Sequence, residues 1–136
     1  MTLDGVLSDT EQSQGEILPD LLIDACGWVA VVDSGMNIDL EIKRTIGPSH
    51  WIIPNQVKEE LEKMGEQHSD LLLDLLFTRA EVIKSENKHT DDALLSLAKN
   101  TGARVLTVDK ELKRRLIAEG CGYLEVVKER TLRLIE

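Results

Sequence analysis

The sequence predicts an α/β fold, a parallel sheet covered on both faces by helices, and two observations carry that reading. Short apolar runs recur at residues 21–23, 51–53, 82–83, 103–108 and 123–127. Between the later runs lie stretches with the period of amphipathic helices, residues 56–67, 69–79, 91–101 and 110–119. Strands alternating with helices in this way build a sheet whose crossovers lie on its faces. At 136 residues the chain makes one domain, large enough to bury a real core.

Residues 1–18 are mostly polar and acidic without sustained periodicity, which reads as a flexible leader before a domain at 19–136. The first strand, 21–23, ends at Asp24. Residues 36–46 fit two patterns: Met36, Ile38, Leu40 and Ile42 alternate as a strand does, while Ile38, Ile42 and Ile46 fit a helix. The helix formers Glu41, Lys43 and Arg44 tip the reading to helix. Pro54 suits a first helical position, Thr90 an N-cap, and Asp109 the cap of the helix after it. Gly102 and Gly120 stand where helices close.

Four acids stand at changes of structure. Asp24 and Asp109 end apolar strands, and Glu60 and Asp91 fall in the first turns of helices. On the helix after Pro54, Val57, Leu61 and Met64 mark the buried stripe; Glu60 flanks it, Glu59 points almost opposite and Glu62 lies well off it. Asp91 shares a side with Leu94, Leu95 and Ala98, and Asp92 is turned one residue step away. Ligands of open parallel sheets bind at the carboxyl ends of the strands, so the four acids can meet in one crevice. Buried carboxylates repel one another unless paired or bound to a cation, and a divalent metal is the usual resolution. Plain structural roles also exist: Asp91 and Asp92 complement a helix dipole, Asp109 caps its helix, and Glu59 pairs with Lys63. Asp24 has no such role.

Composition excludes several classes. Apolar residues make up 42% and charged residues 30%, as in globular domains. No apolar stretch reaches membrane-span length and no signal-peptide pattern opens the chain. Cys26 and Cys121 form no CxxC pair, which points to a reducing cytoplasm, and Cys26 reads as a small buried hydrophobe. The net charge of −9 counts against an electrostatic DNA-coating protein, and 3% aromatic residues count against a base-stacking platform. His50, His68 and His89 lack metal-ligand spacing, and no glycine-rich phosphate loop is present.

Four segments in order carry a resemblance: Leu22-Ile23-Asp24; Ile53-Pro54-Asn55-Gln56-Val57-Lys58-Glu59-Glu60-Leu61; Thr90-Asp91-Asp92-Ala93-Leu94-Leu95-Ser96-Leu97-Ala98; and Leu106-Thr107-Val108-Asp109-Lys110-Glu111-Leu112-Lys113-Arg114-Arg115-Leu116. Together they resemble PIN-domain nucleases over residues 20–136, with the look of small archaeal members related to small-subunit ribosomal RNA-processing nucleases. The ending Lys128-Glu129-Arg130-Thr131-Leu132-Arg133-Leu134-Ile135 adds to it. The resemblance implies a three-layer α/β/α sandwich around a central parallel sheet. It implies Asp24, Glu60, Asp91 and Asp109 as catalytic acids binding Mg²⁺ or Mn²⁺, with Asp92 as an auxiliary ligand. It implies hydrolysis of RNA phosphodiesters, with Lys110, Lys113 and Arg114 steering the backbone, and it allows a homodimer.

The sequence departs from the family pattern beside the site. Ala25 and Cys26 stand where Thr or Ser and then Asn are usual after the first aspartate, and Val108 replaces an Asn before the fourth. These departures motivate an alternative: a PIN-like domain without turnover that binds RNA or protein. A toxin of a toxin–antitoxin pair is a third reading. A receiver-type signalling domain ranks last, because the acids lie mainly at helix starts.

Overall fold

The computed structural model describes residues 18–128 and 130–136. The expected leader falls outside them, apart from Leu18, which is exposed. Among the described residues the elements run β1 (Asp20–Ile23), α1 (Ala25–Ser34), α2 (Ile38–Ile46), β2 (His50–Pro54), α3 (Asn55–Gly65), α4 (Leu73–Arg79), β3 (Glu81–Ile83), α5 (Thr90–Thr101), β4 (Arg104–Leu106), α6 (Lys110–Ala118), β5 (Tyr123–Val127) and β6 (Thr131–Ile135). No described helix is long and apolar enough to cross a membrane.

The strands form one sheet in the order β3-β2-β1-β4-β5-β6. β1 to β5 pair in parallel, with Leu22 opposite both Ile52 and Val105. Leu21, Leu22 and Ile23 are each fully enclosed. Successive strand residues point to opposite faces, so three enclosed in a row mean that both faces are covered. The core is the aliphatic side chains of β1, β2 and β4 packed against Trp28, Val57, Leu61, Leu94, Leu112 and Leu116 from the helices.

The expected parallel sheet is mixed at one edge, because β6 runs antiparallel to β5, from Tyr123 opposite Ile135 to Val127 opposite Thr131. Leu132 is buried between half-buried Thr131 and exposed Arg133, the alternation of a strand. α2 closes this edge. Glu41 Oε1 accepts the Leu132 N–H at 3.0 Å, and Arg44 Nη2 donates to the Leu132 carbonyl at 2.8 Å. The ambiguous stretch 36–46 is thus a helix, capped by Asn37 Oδ1, which accepts the Leu40 N–H at 3.1 Å. Leu40, which the strand pattern would bury, is exposed.

Some boundaries differ from expectation. Pro54 ends β2 and occupies the cap position of α3, and His89 rather than Thr90 occupies that of α5. Met64, expected in the buried stripe of α3, is 37% exposed. The helix expected over 69–79 begins only at Leu73, after Leu72 in the left-handed region at φ 53°.

The connections position the site. From β1 the chain moves outward through β2 to β3, then returns across the sheet to β4 on the other side of β1. The strand order therefore reverses between β1 and β4, and a crevice opens at their carboxyl ends. Gly27, in the first turn of α1, fits tightly against that point: a Cβ there would lie 2.4 Å from the Leu106 carbonyl oxygen. That same oxygen accepts the Asp24 N–H at 3.0 Å, tying the end of β1 to the end of β4.

Candidate active site

Asp24 leaves β1 as the residue preceding α1, with extended backbone at φ −83° and ψ 150°, yet its carboxylate caps nothing. It is 5% exposed. Its Oδ2 accepts from Thr107 Oγ1 at 2.8 Å and from Cys26 Sγ at 3.1 Å. Burial pushes its pKa above the usual carboxylate range against the pull of the Cys26 and Thr107 bonds, and the charge of Asp109 pushes the same way. Burial and the charge of Asp24 also push the Cys26 thiol up, so it stays a neutral donor. Cys26 is half-buried and hydrogen-bonded, a polar contact of the site rather than the buried hydrophobe expected.

Thr107 is the hinge between the two strand ends. It is fully enclosed just beyond β4. Its hydroxyl donates to Asp24 and accepts the Asp109 N–H at 3.1 Å. Asp109 caps α6 as expected, its Oδ1 accepting the Leu112 N–H at 2.8 Å. That bond engages one carboxylate oxygen and leaves the residue half-buried beside the crevice.

Glu60 stands exposed on the second turn of α3, not in the first turn as expected, and it and half-buried Asp91 join by their fields. Desolvation raises the pKa of Glu60 against an opposing bond from Thr90, and Asp24 and Asp91 raise it further. Desolvation also raises that of Asp91, followed by the charges of Asp109 and Asp24, with Arg115 opposing. Asp24, Glu60 and Asp91 thus each feel at least one other acid. Among the described residues no Lys, Arg or His lies within ion-pair distance of any of the four. Nor do three His, Cys, Asp or Glu side chains there stand as a preformed ligand cluster. Like-charged carboxylates lower their repulsion by standing apart, so field coupling without a common focus is the expected balance. The donor set fits a hard divalent cation: carboxylate oxygens that no Lys, Arg or His pairs with directly among the described residues.

The remaining expected residues are placed differently. Asp92 Oδ1 pairs with Arg115 Nη2 at 2.9 Å across α5 and α6. Lys113 Nζ is held by Glu125 at 2.9 Å and lies over the Tyr123 ring. Arg114 is engaged by both carboxylate oxygens of Glu111. Lys110 is exposed at the start of α6. An open groove of about 610 Å³ reaches Glu60 and Asp91, with Lys88 and Arg115 among its lining residues. The sequence assigns Thr107, Arg115 and Lys88 no role at the site. Thr107 carried a usable signal, a hydroxyl two residues before a strand-end aspartate, whereas Arg115 meets Asp92 only through tertiary packing.

Fold and site define a doubly wound α/β domain with an acidic crevice at its switch point. A family model described as PIN like domain matches residues 21–130, and the chain belongs to that family. The solved structure of the PIN domain endonuclease Utp24 is similar to it with a TM-score of 0.70, covering 85% of this chain and 90% of that one at 21% identity. That likeness shows the fold. No curated protein matches the sequence.

Proposed function

We propose that this chain is a divalent-metal-dependent endoribonuclease that hydrolyses RNA phosphodiesters. The observation that carries the reading is Asp24: a carboxylate 5% exposed, held by neutral donors alone and facing other acids. Membership of the PIN like domain family and similarity to an endonuclease of that fold support it. Asp24, Glu60, Asp91 and Asp109 would hold Mg²⁺ or Mn²⁺. Bound there, the ion supplies Lewis-acid stabilisation of phosphate charge and lowers the pKa of an attacking water. Thr107 and Cys26 fix Oδ2 of Asp24, and Thr107 ties Asp109 to the same frame, so two ligands are oriented together. Processing of small-subunit ribosomal RNA is the role that the sequence resemblance favours.

One observation favours a second reading, an RNA- or protein-binding module without turnover. Val108, half-buried before Asp109, brings no polar group to the crevice. Cleavage of a diverse RNA pool in Mn²⁺, read by sequencing with Asp24→Asn alongside, separates the two. Cutting by the native protein alone, with at least about a hundredfold loss in the variant, is the expected result. Normal Mn²⁺ affinity with no cutting would favour the module.

A further inference from the structure

The geometry points to the groove beside the acidic crevice as the seat of the sugar–phosphate backbone of one RNA strand. Lys88 and Arg115 make its phosphate contacts, and Asp92 is a positioning residue that holds Arg115. This rests on the ribonuclease reading and names where its substrate lies.

The groove, about 610 Å³, includes Glu60 and Asp91 on its wall and so reaches two of the four acids. Lys88 and Arg115 line the same groove. Lys88 is exposed, and none of its ion pairs closes over the groove: among the described residues it has none. Arg115 has its side chain 33% exposed and gives one nitrogen to Asp92. A guanidinium carries five N–H donors, so others remain for a phosphate. Its one aromatic ring is the exposed His89, with no Phe, Tyr or Trp beside it, so the groove suits backbone contact more than a base-stacking platform. Of the α6 cations expected to steer the backbone, Lys113 and Arg114 are engaged by Glu125 and Glu111, and Lys110 is exposed at the start of the helix but does not line this groove. On a chain of net charge −9, an RNA strand approaching Glu60 and Asp91 needs local cations, and Lys88 and Arg115 line the same groove. Asp92 then acts through Arg115, whose guanidinium occupies its Oδ1, and not as a ligand.

The test uses the full chain carrying Asp24→Asn, to silence cleavage, and fluorescein-labelled single-stranded RNA followed by anisotropy across a NaCl series. Lys88→Ala and Arg115→Ala each weaken binding at least about threefold and lower the salt slope by about 0.7, the value for one lost phosphate contact on a single strand. Arg115→Lys keeps the salt slope and guards against loss of fold. Asp92→Asn has no further effect once Arg115→Ala is present, and on the native background it leaves Mn²⁺ affinity by calorimetry unchanged. Unchanged RNA affinity and slope in Lys88→Ala and Arg115→Ala, or a greater loss in Arg114→Ala, overturns the groove. Loss of Mn²⁺ affinity in Asp92→Asn overturns its positioning role. RNA binding that depends on Lys88 and Arg115, without cleavage by the native chain, upholds the groove and overturns only the ribonuclease reading.

Discussion

Asp24 at the carboxyl end of β1 and Glu41 on α2 are both nearly enclosed, 5% and 8% exposed, yet their surroundings treat a negative charge in opposite ways. Glu41 meets a guanidinium and a backbone N–H: the Arg44 bond and then the Leu132 bond hold its pKa below the usual range. Asp24 meets a hydroxyl, a thiol, the Ala25 backbone N–H and other acids, but no cation, and burial drives its pKa up against those bonds. Glu41 completes the sheet edge and its charge is satisfied within the chain. The charge on Asp24 is not. A fold that can satisfy a buried carboxylate at β6 and leaves another uncompensated at its switch point marks the second as a place for a cation from outside.

The contrast can be broken at each end. Thr107→Val keeps the side-chain shape but removes the donor to Asp24 and the acceptor for the Asp109 N–H. A lost outer contact of this kind is expected to lower Mn²⁺ affinity by about 10- to 100-fold, measured by calorimetry. Glu41→Ala is expected to do the reverse: it leaves the Leu132 N–H without its partner and lowers stability by about 1–3 kcal/mol in urea melts, with Mn²⁺ affinity of the folded protein unchanged.

The smallest effect is the pH profile without metal. The folded pKa of Glu41 lies below its unfolded value, so its stabilisation is present above the ordinary glutamate range and fades as pH falls through the folded value. Asp24, Glu60 and Asp91 lie above theirs, so the folded state holds protons that the unfolded chain has released. Their contribution therefore declines as pH rises from the ordinary carboxylate range through the folded values. Denaturant melts across that window, compared between the native chain and Asp24→Asn, are expected to show a shallower decline in the variant.

Much of this was legible in the sequence, for definite reasons. β1 and β2 are apolar runs because both sheet faces are covered, and Asp24 stood out because an acid closed such a run. α1 was not read, since Val29, Val31 and Val32 blur the helix period and their β-branched side chains favour strands. The alternating tail that forms β6 was noticed only as part of a resemblance. Of the site, the residue types and their order were visible. The partners were not: Asp92 meets Arg115 across 23 positions and Asp24 meets Thr107 across 83, contacts that no local pattern encodes.

The central claim is that Asp24 is an unsatisfied charge awaiting a cation, and thermal melts of the native chain and Asp24→Asn with and without Mn²⁺ test it most directly. The expected result is a variant at least as stable as the native chain without metal, because carboxylate repulsion is relieved, and a Mn²⁺-dependent rise in Tm for the native chain alone. A variant strongly destabilised without metal, with equal or absent response to Mn²⁺ in both proteins, would contradict the account and make Asp24 a structural partner of Thr107.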